Sequence, residues 1–196
     1  MEVREKLMEA ALRVFEEAGS RGATTRRIAA EAGVNEITLF RHFGSKAALL
    51  SEAILAEAQR GLDYRLPDAP EDPAAELTAW CTEHLAHLRR NSGMIRTCMG
   101  EMENAPEMRA CAQAGPQRVA EELTGYFERL RERGMSDPGA DPGAAAAMLM
   151  GALFTDAMGR EMMPERYAYS PEEAPEKYVT LLLRGIGATP PSASKT

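Results

Sequence analysis

Apolar residues recur at spacings of three and four along most of this chain, the period of helices with one buried face. Val3, Leu7, Ala11, Val14, Phe15 and Ala18 mark a first helix over 3–18, which Gly19 ends. Thr24 caps a short second helix ending near Gly33, and Asn35 caps a third that runs to Phe43. Gly44 breaks the third, and Ser45 caps a fourth running to Tyr64. LPDAPEDP, residues 66–73, is a connector rich in proline and aspartate. A fifth helix over 73–90 carries the stripe Leu77, Trp80, Cys81, His84, Leu85 and Leu88. A sixth spans 94–103 and a seventh 106–133, with a kink at Gly115-Pro116. An eighth spans 142–162, and its run AAAAMLMGALF is apolar nearly all round, which demands burial on more than one side. A ninth over 171–187 gathers Tyr178, Leu181, Leu182, Gly185 and Ile186 on one face, and 188–196 is a flexible tail.

No strand pattern and no repeat interrupts this, so the expected fold is all-α with about nine helices. A helix-turn-helix domain of three helices is expected over 1–46, and a helical domain for ligand binding and dimerisation over 47–187. Composition agrees: hydrophobic residues are 44% and charged residues 27%, enough for a core, with few β-branched or aromatic side chains. There is no charged-then-apolar leader and no long apolar run, so the expectation is a cytoplasmic protein with no membrane partner. Cys81, Cys98 and Cys111 lack paired spacing and would be reduced thiols there. GxSxG, P-loop, HExxH and dinucleotide fingerprints are all absent, which argues against an enzyme and against a cofactor.

The net charge of −7 looks wrong for a partner of DNA until its distribution is considered. Residues 20–50 hold Arg21, Arg26, Arg27, Arg41 and Lys46 against Glu31 and Glu36, a local +3. Phosphate contact follows local charge, while an acidic remainder limits indiscriminate binding. In the third helix, steps of 100° per residue put Leu39 and Phe43 on the inner side. Ile37, Thr38 and Arg41 lie opposite, with His42 alongside. Arg41 can bind guanine O6 and N7 together, and Ile37 and Thr38 suit a thymine methyl. Glu36 can accept from cytosine N4, and Thr24, Thr25, Arg26, His42 and Lys46 sit at helix ends, where donors hold phosphates.

These residues also carry a resemblance. Ala11, Leu12 and Phe15, Gly19, the TTR of Thr24–Arg26, Ile28-Ala29, Ala32-Gly33-Val34, TLFRHFGSK and Leu49-Leu50 resemble the TetR family of bacterial transcriptional regulators over roughly residues 5–50. The resemblance implies a homodimer on a palindromic double-stranded operator, acting as a repressor that a small molecule releases. It places Thr25, Arg26, Glu36, Ile37, Thr38, Phe40, Arg41, His42 and Lys46 on DNA-contact positions. Phe40 departs from the tyrosine frequent there and has no hydroxyl to offer a phosphate.

The remaining helices divide between two tasks. The small residues Ala144–Ala147, Gly151, Ala152, Gly159, Gly185 and Gly187 let the eighth and ninth helices approach a second copy closely. Methionines are dense, and flexible thioethers suit an apolar effector site or else fill the core. Trp80, His84, Met99, Met102, Phe127, Met150 and Phe154 are the candidate lining. His84 is either a hydrogen-bonded core residue or a polar handle, and His87, off the stripe, is expected in solvent. Cys81 with the two histidines is too sparse a set to predict a metal. Asp156, inside an apolar run, needs a partner from this chain, a second subunit or a cationic ligand.

Overall fold

The structure is a computed structural model that describes residues 2–59, 64–101 and 106–188. Among the described residues it contains nine α-helices and no strand, as the periodicity predicts. They are α1 (Val3–Gly22), α2 (Thr25–Glu31), α3 (Glu36–Phe43), α4 (Lys46–Gln59), α5 (Pro73–Arg90), α6 (Ser92–Glu101), α7 (Pro106–Glu132), α8 (Pro142–Gly159) and α9 (Ala174–Gly185). A 3-10 turn, Pro164–Arg166, lies between α8 and α9. Two units result: residues 1–60 with 91–116, and residues 61–90 with 117–196.

In the first unit α1 packs on α2, α4 and α6. Leu7, Ala10, Ala11, Val14 and Phe15 of α1 meet Ile28, Leu39, Leu49, Leu50, Ile54 and Met94 in one core. The stripe on α1 is therefore the buried one, but the helix does not stop at Gly19. That glycine takes φ 65°, interrupts the regular turn, and a further turn reaches Gly22. α4 is described as far as Gln59, Tyr64 is not helical, and 60–63 lie outside the described residues.

In the second unit α5 packs on α8 and α9. Its stripe, with Val119, Leu123, Tyr126, Phe127 and Leu130 of α7, forms a second core. Glu76 fixes the start of α5 by accepting from the backbone of Glu71 and Asp72, both at 2.9 Å, and from the Tyr126 hydroxyl at 2.5 Å. Two features differ from expectation. On α9, Leu181 is 68% exposed while Val179, Leu182, Leu183 and Ile186 face the core. The helix begins at Ala174, beyond the expected 171, and its angular register follows the packed residues and not the largest ones. His87 is buried, not solvated, with its ring stacked 6.4 Å from that of His84.

Asp156 is wholly buried and finds its partners within the chain. Arg89 of α5 donates at 2.7 Å, Arg160 at 2.6 Å and the Tyr178 hydroxyl of α9 at 2.7 Å. Tyr169 donates in turn to Tyr178 at 2.9 Å, and Arg160 also reaches the Tyr169 carbonyl at 2.8 Å. Burial pushes the Asp156 carboxyl up, but hydrogen bonds from Arg160, Arg89 and Tyr178 outweigh it and hold it below its ordinary 3.8. One carboxylate thus ties α5, α8 and α9 together.

Asp156→Asn is expected to destabilise the chain by ~3 kcal/mol, the low end for breaking a buried pair, because both guanidiniums keep some solvent. A depressed folded pKa gives stability that is complete above 3.8 and is lost as pH falls through the lower folded value. Urea midpoints at neutral pH and at about pH 3 should therefore converge between the variant and the parent. An unchanged gap would contradict this role.

Candidate nucleic-acid interface

A short helix projecting from α1 and α4 needs each end fixed, and the local sequence supplies this. The Thr24 hydroxyl oxygen accepts from the Arg27 amide at 3.2 Å and starts α2. Gly33, at φ +68°, ends it: its amide reaches the Ala30 carbonyl at 3.1 Å, and that of Val34 reaches Ala29 at 2.9 Å. Asn35 then accepts from the Ile37 amide at 2.9 Å and starts α3, and Ser45 accepts from the Ala48 amide at 3.1 Å to start α4. Two helices and their turn are closed within about twenty residues.

The side chains of α3 divide as the 100° step predicts. Leu39 is fully buried and Phe43 packs on the same core, under the Arg4 guanidinium at 5.0 Å. Arg41 lies diametrically opposite and is exposed, as is His42 beside it; Thr38 is half-buried. Ile37 is 75% exposed, and no core contact explains a branched apolar side chain there. Phe40 is 47% exposed at the flank of the same face. Arg26 and Arg41 make no hydrogen bond or ion pair within the described residues, so both guanidiniums are available to a partner.

The other expected contact residues are partly engaged. The Thr25 hydroxyl donates to Glu36 at 2.5 Å, a bond that joins the starts of α2 and α3. Glu36 retains a second oxygen. Lys46 donates to the Ser20 carbonyl at 2.6 Å, which seats α4 against the end of α1 and leaves two ammonium protons. Arg27, beside Arg26, is paired with Glu17 at 2.5 Å. Only the long-range pairing separates these two neighbouring arginines.

Of the candidate effector-site residues, Trp80, His84 and Phe127 are buried in the second core. Trp80 and His84 stack with ring centres 4.7 Å apart. Met150 and Phe154 are half-buried on α8, and Met150 packs on the same core. Met99 is exposed on α6 and belongs to the first unit, whereas Met102 lies outside the described residues. Burial, then the nearby His87 and Arg118, lowers His84 to about 4, so its ring is neutral at physiological pH. Burial pushes the Cys81 thiol up, away from thiolate chemistry. Arg118, which no local pattern distinguishes from other surface arginines of α7, has a buried terminal nitrogen without a partner. Among the described residues no three potential metal ligands cluster.

Two family models match successive parts of the chain. The family described as "Bacterial regulatory proteins, tetR family" matches residues 7–53, and "AefR-like transcriptional repressor, C-terminal domain" matches residues 75–184. The HTH-type transcriptional regulator YvkB of Bacillus subtilis is 26% identical over 184 residues, covering 93% of this chain and 96% of its own. A TetR-family transcriptional regulator from Mesorhizobium loti has the same fold, with a TM-score of 0.78 at 22% identity over 94% of this chain and 96% of the other. FadR from Bacillus subtilis, in complex with stearoyl-CoA, gives 0.75 at 19% identity over 93% and 98%.

At Gly33 no atom lies within 4 Å of where a Cβ would stand, so the cost of a side chain there is conformational, not steric. Gly33→Ala is expected to cost ~1–2 kcal/mol, and Gly33→Asn less, since asparagine tolerates the left-handed region. Thermal melts of the three proteins should rank glycine, asparagine, alanine. Equal melting temperatures would remove the turn's claim to need glycine.

Proposed function

The chain belongs to the TetR family of bacterial regulatory proteins, and on that premise we propose that it is a homodimeric repressor of a palindromic operator, released when a small molecule enters its second unit. Proteins of this family work by binding DNA and not by turnover. The observation that carries the reading is the outer face of α3: Ile37, Arg41 and His42 are exposed, Arg41 has no partner among the described residues, and the opposite side is locked by Leu39. Donors and a methyl-bearing side chain on a rigid short helix suit base edges in a major groove. Arg26, Thr24, Thr25 and Lys46 hold phosphates and set register, Glu36 and Thr38 contact the flanks, and Phe40 packs on the sugar-phosphate edge.

Dimerisation through α8 and α9 is supported by what the single chain leaves bare. Ala144, Ala147 and Gly151 are exposed, and Met148 is 69% exposed on the same side of α8. Leu181 and Gly185 are exposed on α9. Nothing lies within 4 Å of a Cβ at Gly151 or Gly185, so a partner backbone has room to approach. Two helices from each copy would form a four-helix bundle and give the two-fold symmetry a palindrome requires. The effector is an apolar small molecule held among Trp80, His84, Phe127, Met150 and Phe154. A neighbour of the same fold in complex with stearoyl-CoA supports this kind of occupancy. No described helix is long and apolar enough to cross a membrane, and the expected place of action is the cytoplasm.

Selection from a random DNA pool at physiological salt tests the reading directly. The parent should recover a palindrome. Arg41→Ala should lose ~1–3 kcal/mol on that operator and relax one base pair per half-site. Lys46→Ala should weaken all sequences alike and reduce the salt slope by about 1. An identical selected sequence with Arg41→Ala would remove Arg41 from base reading. Leu181→Glu should give a monomer in sedimentation and lose ~100-fold or more on the palindrome, because the two half-sites are no longer linked. A dimer that survives this change would place the interface elsewhere.

A further inference from the structure

The second unit buries polar atoms that it does not satisfy. Among the described residues, Nε1 of Trp80, Nδ1 of His84 and a terminal nitrogen of Arg118 have no hydrogen-bond partner. Trp80 is 1% exposed and His84 is 7% exposed. They stand one turn apart on α5 with their rings stacked. Arg118, on α7, is near enough for its charge to act on His84, and His87 acts on it in the same direction. No carboxylate is among the groups that act on His84. One further orphan, Nε of Arg129, belongs to a guanidinium packed over the Tyr126 ring and stands apart from this group.

Native interiors pair almost all such groups, and each exception calls for an explanation, of which a bound partner is one. Here every orphan can donate, the one formal charge is positive, and the surroundings are apolar. Elsewhere in the same unit a buried charge is fully matched: Asp156 receives two guanidiniums and a hydroxyl. The contrast sets apart the one unmatched charge, that of Arg118, which acts on His84.

We propose that this cluster is the anion-binding end of the effector site, and that the effector is a monocarboxylate with an apolar body. Its carboxylate accepts from the Trp80 indole N–H, from the Arg118 guanidinium and from His84 as its Nδ1–H tautomer. The proposal rests on the effector-released repressor described above and adds the chemical class of the effector. A planar carboxylate suits one guanidinium and one indole N–H. A phosphate monoester, with its second charge, would be left under-compensated by a single arginine. The apolar body lies against the second core, where Met150 and Met158 are partly buried and can adapt.

Trp80 is the one tryptophan of the chain, so intrinsic fluorescence reports on this cluster without a label. The full-length protein is titrated with benzoate, phenylacetate and octanoate, and with the primary amide of each. At least one acid is expected to change the emission saturably and to bind ~10-fold or more tighter than its amide. Arg118→Met keeps the aliphatic stem and should bring the acid down to the affinity of the amide, with circular dichroism unchanged. The wild-type ratio of acid to amide decides the matter even if that variant does not fold. Acids that give no saturable change would overturn the proposal and leave the cluster a hydrated structural feature. Equal affinity of acid and amide, or unaltered acid binding by Arg118→Met, would overturn it as well. Release of the selected operator is scored in parallel. An amide that releases it as well as the acid does would keep the repressor reading and remove the carboxylate. Absence of any operator would remove the repressor reading while the fluorescence still judges the acid.

Discussion

The short helix α3 depends on being held from one side. A helix of eight residues does not persist alone in water, because the cost of nucleation is spread over too few hydrogen bonds. Its existence rests on Leu39 and Phe43 entering the core that α1 and α4 build, and on caps at both ends. This arrangement has a consequence for function. With stability supplied entirely by the inner side, the outer side is free of any folding duty. Ile37 can be exposed and Arg41 unpaired at little cost to the fold, which is what a surface meant to meet another molecule requires. The same packing fixes the angle at which Arg41 leaves the helix, on which the proposed base reading depends.

The first unit was legible because its signals are local. Thr24, Gly33, Asn35 and Ser45 each act on atoms within a few residues, so boundaries read from the string agree with the caps in the structure. Periodicity then told Leu39 from Arg41. What local pattern cannot supply is pairing at a distance. That Arg27 meets Glu17 while Arg26 stays open, or that Lys46 leans on Ser20, depends on how α1 lies against α2 and α4. The same holds for His87, which the stripe of α5 excluded: α5 packs against more than one neighbour, so its buried arc is wider than a single stripe. Leu181 failed in the opposite direction. A leucine was assumed to seek this chain's core, and the structure exposes it.

On the proposed dimer, that error and the apolar run of α8 have one physical cause. A sequence encodes the burial of the working assembly, whereas periodicity within a chain assigns every apolar residue to that chain alone. The apolar residues of α8 exceed what one core can cover; Leu149, Leu153 and Ala157 go inward while Ala147 and Met148 remain outside. Asp156 shows the reverse case. Of the three partners open to it on sequence grounds, the fold supplies the nearest, its own Arg89, Arg160 and Tyr178, so this carboxylate holds the unit together and leaves no unmatched negative charge for a cationic ligand.

Two kinds of unpaired donor therefore remain, and they differ in what they cost. On α3 and the start of α2 the free guanidiniums of Arg41 and Arg26 are hydrated, and leaving them unpaired carries almost no penalty. Beside α5 the orphans are out of water, and each weakens the ligand-free state by an amount on the order of 1–3 kcal/mol. A fold that tolerates the second kind gives up stability at that place. A ligand able to satisfy those donors regains it, because binding to the folded chain alone stabilises by RT ln(1 + [L]/Kd), about 2.7 kcal/mol at a hundredfold excess over Kd. Allosteric coupling between two sites is commonly of the order of 1–3 kcal/mol, so the unmet hydrogen bonds at Trp80, His84 and Arg118 are of the size that the proposed release from an operator would need.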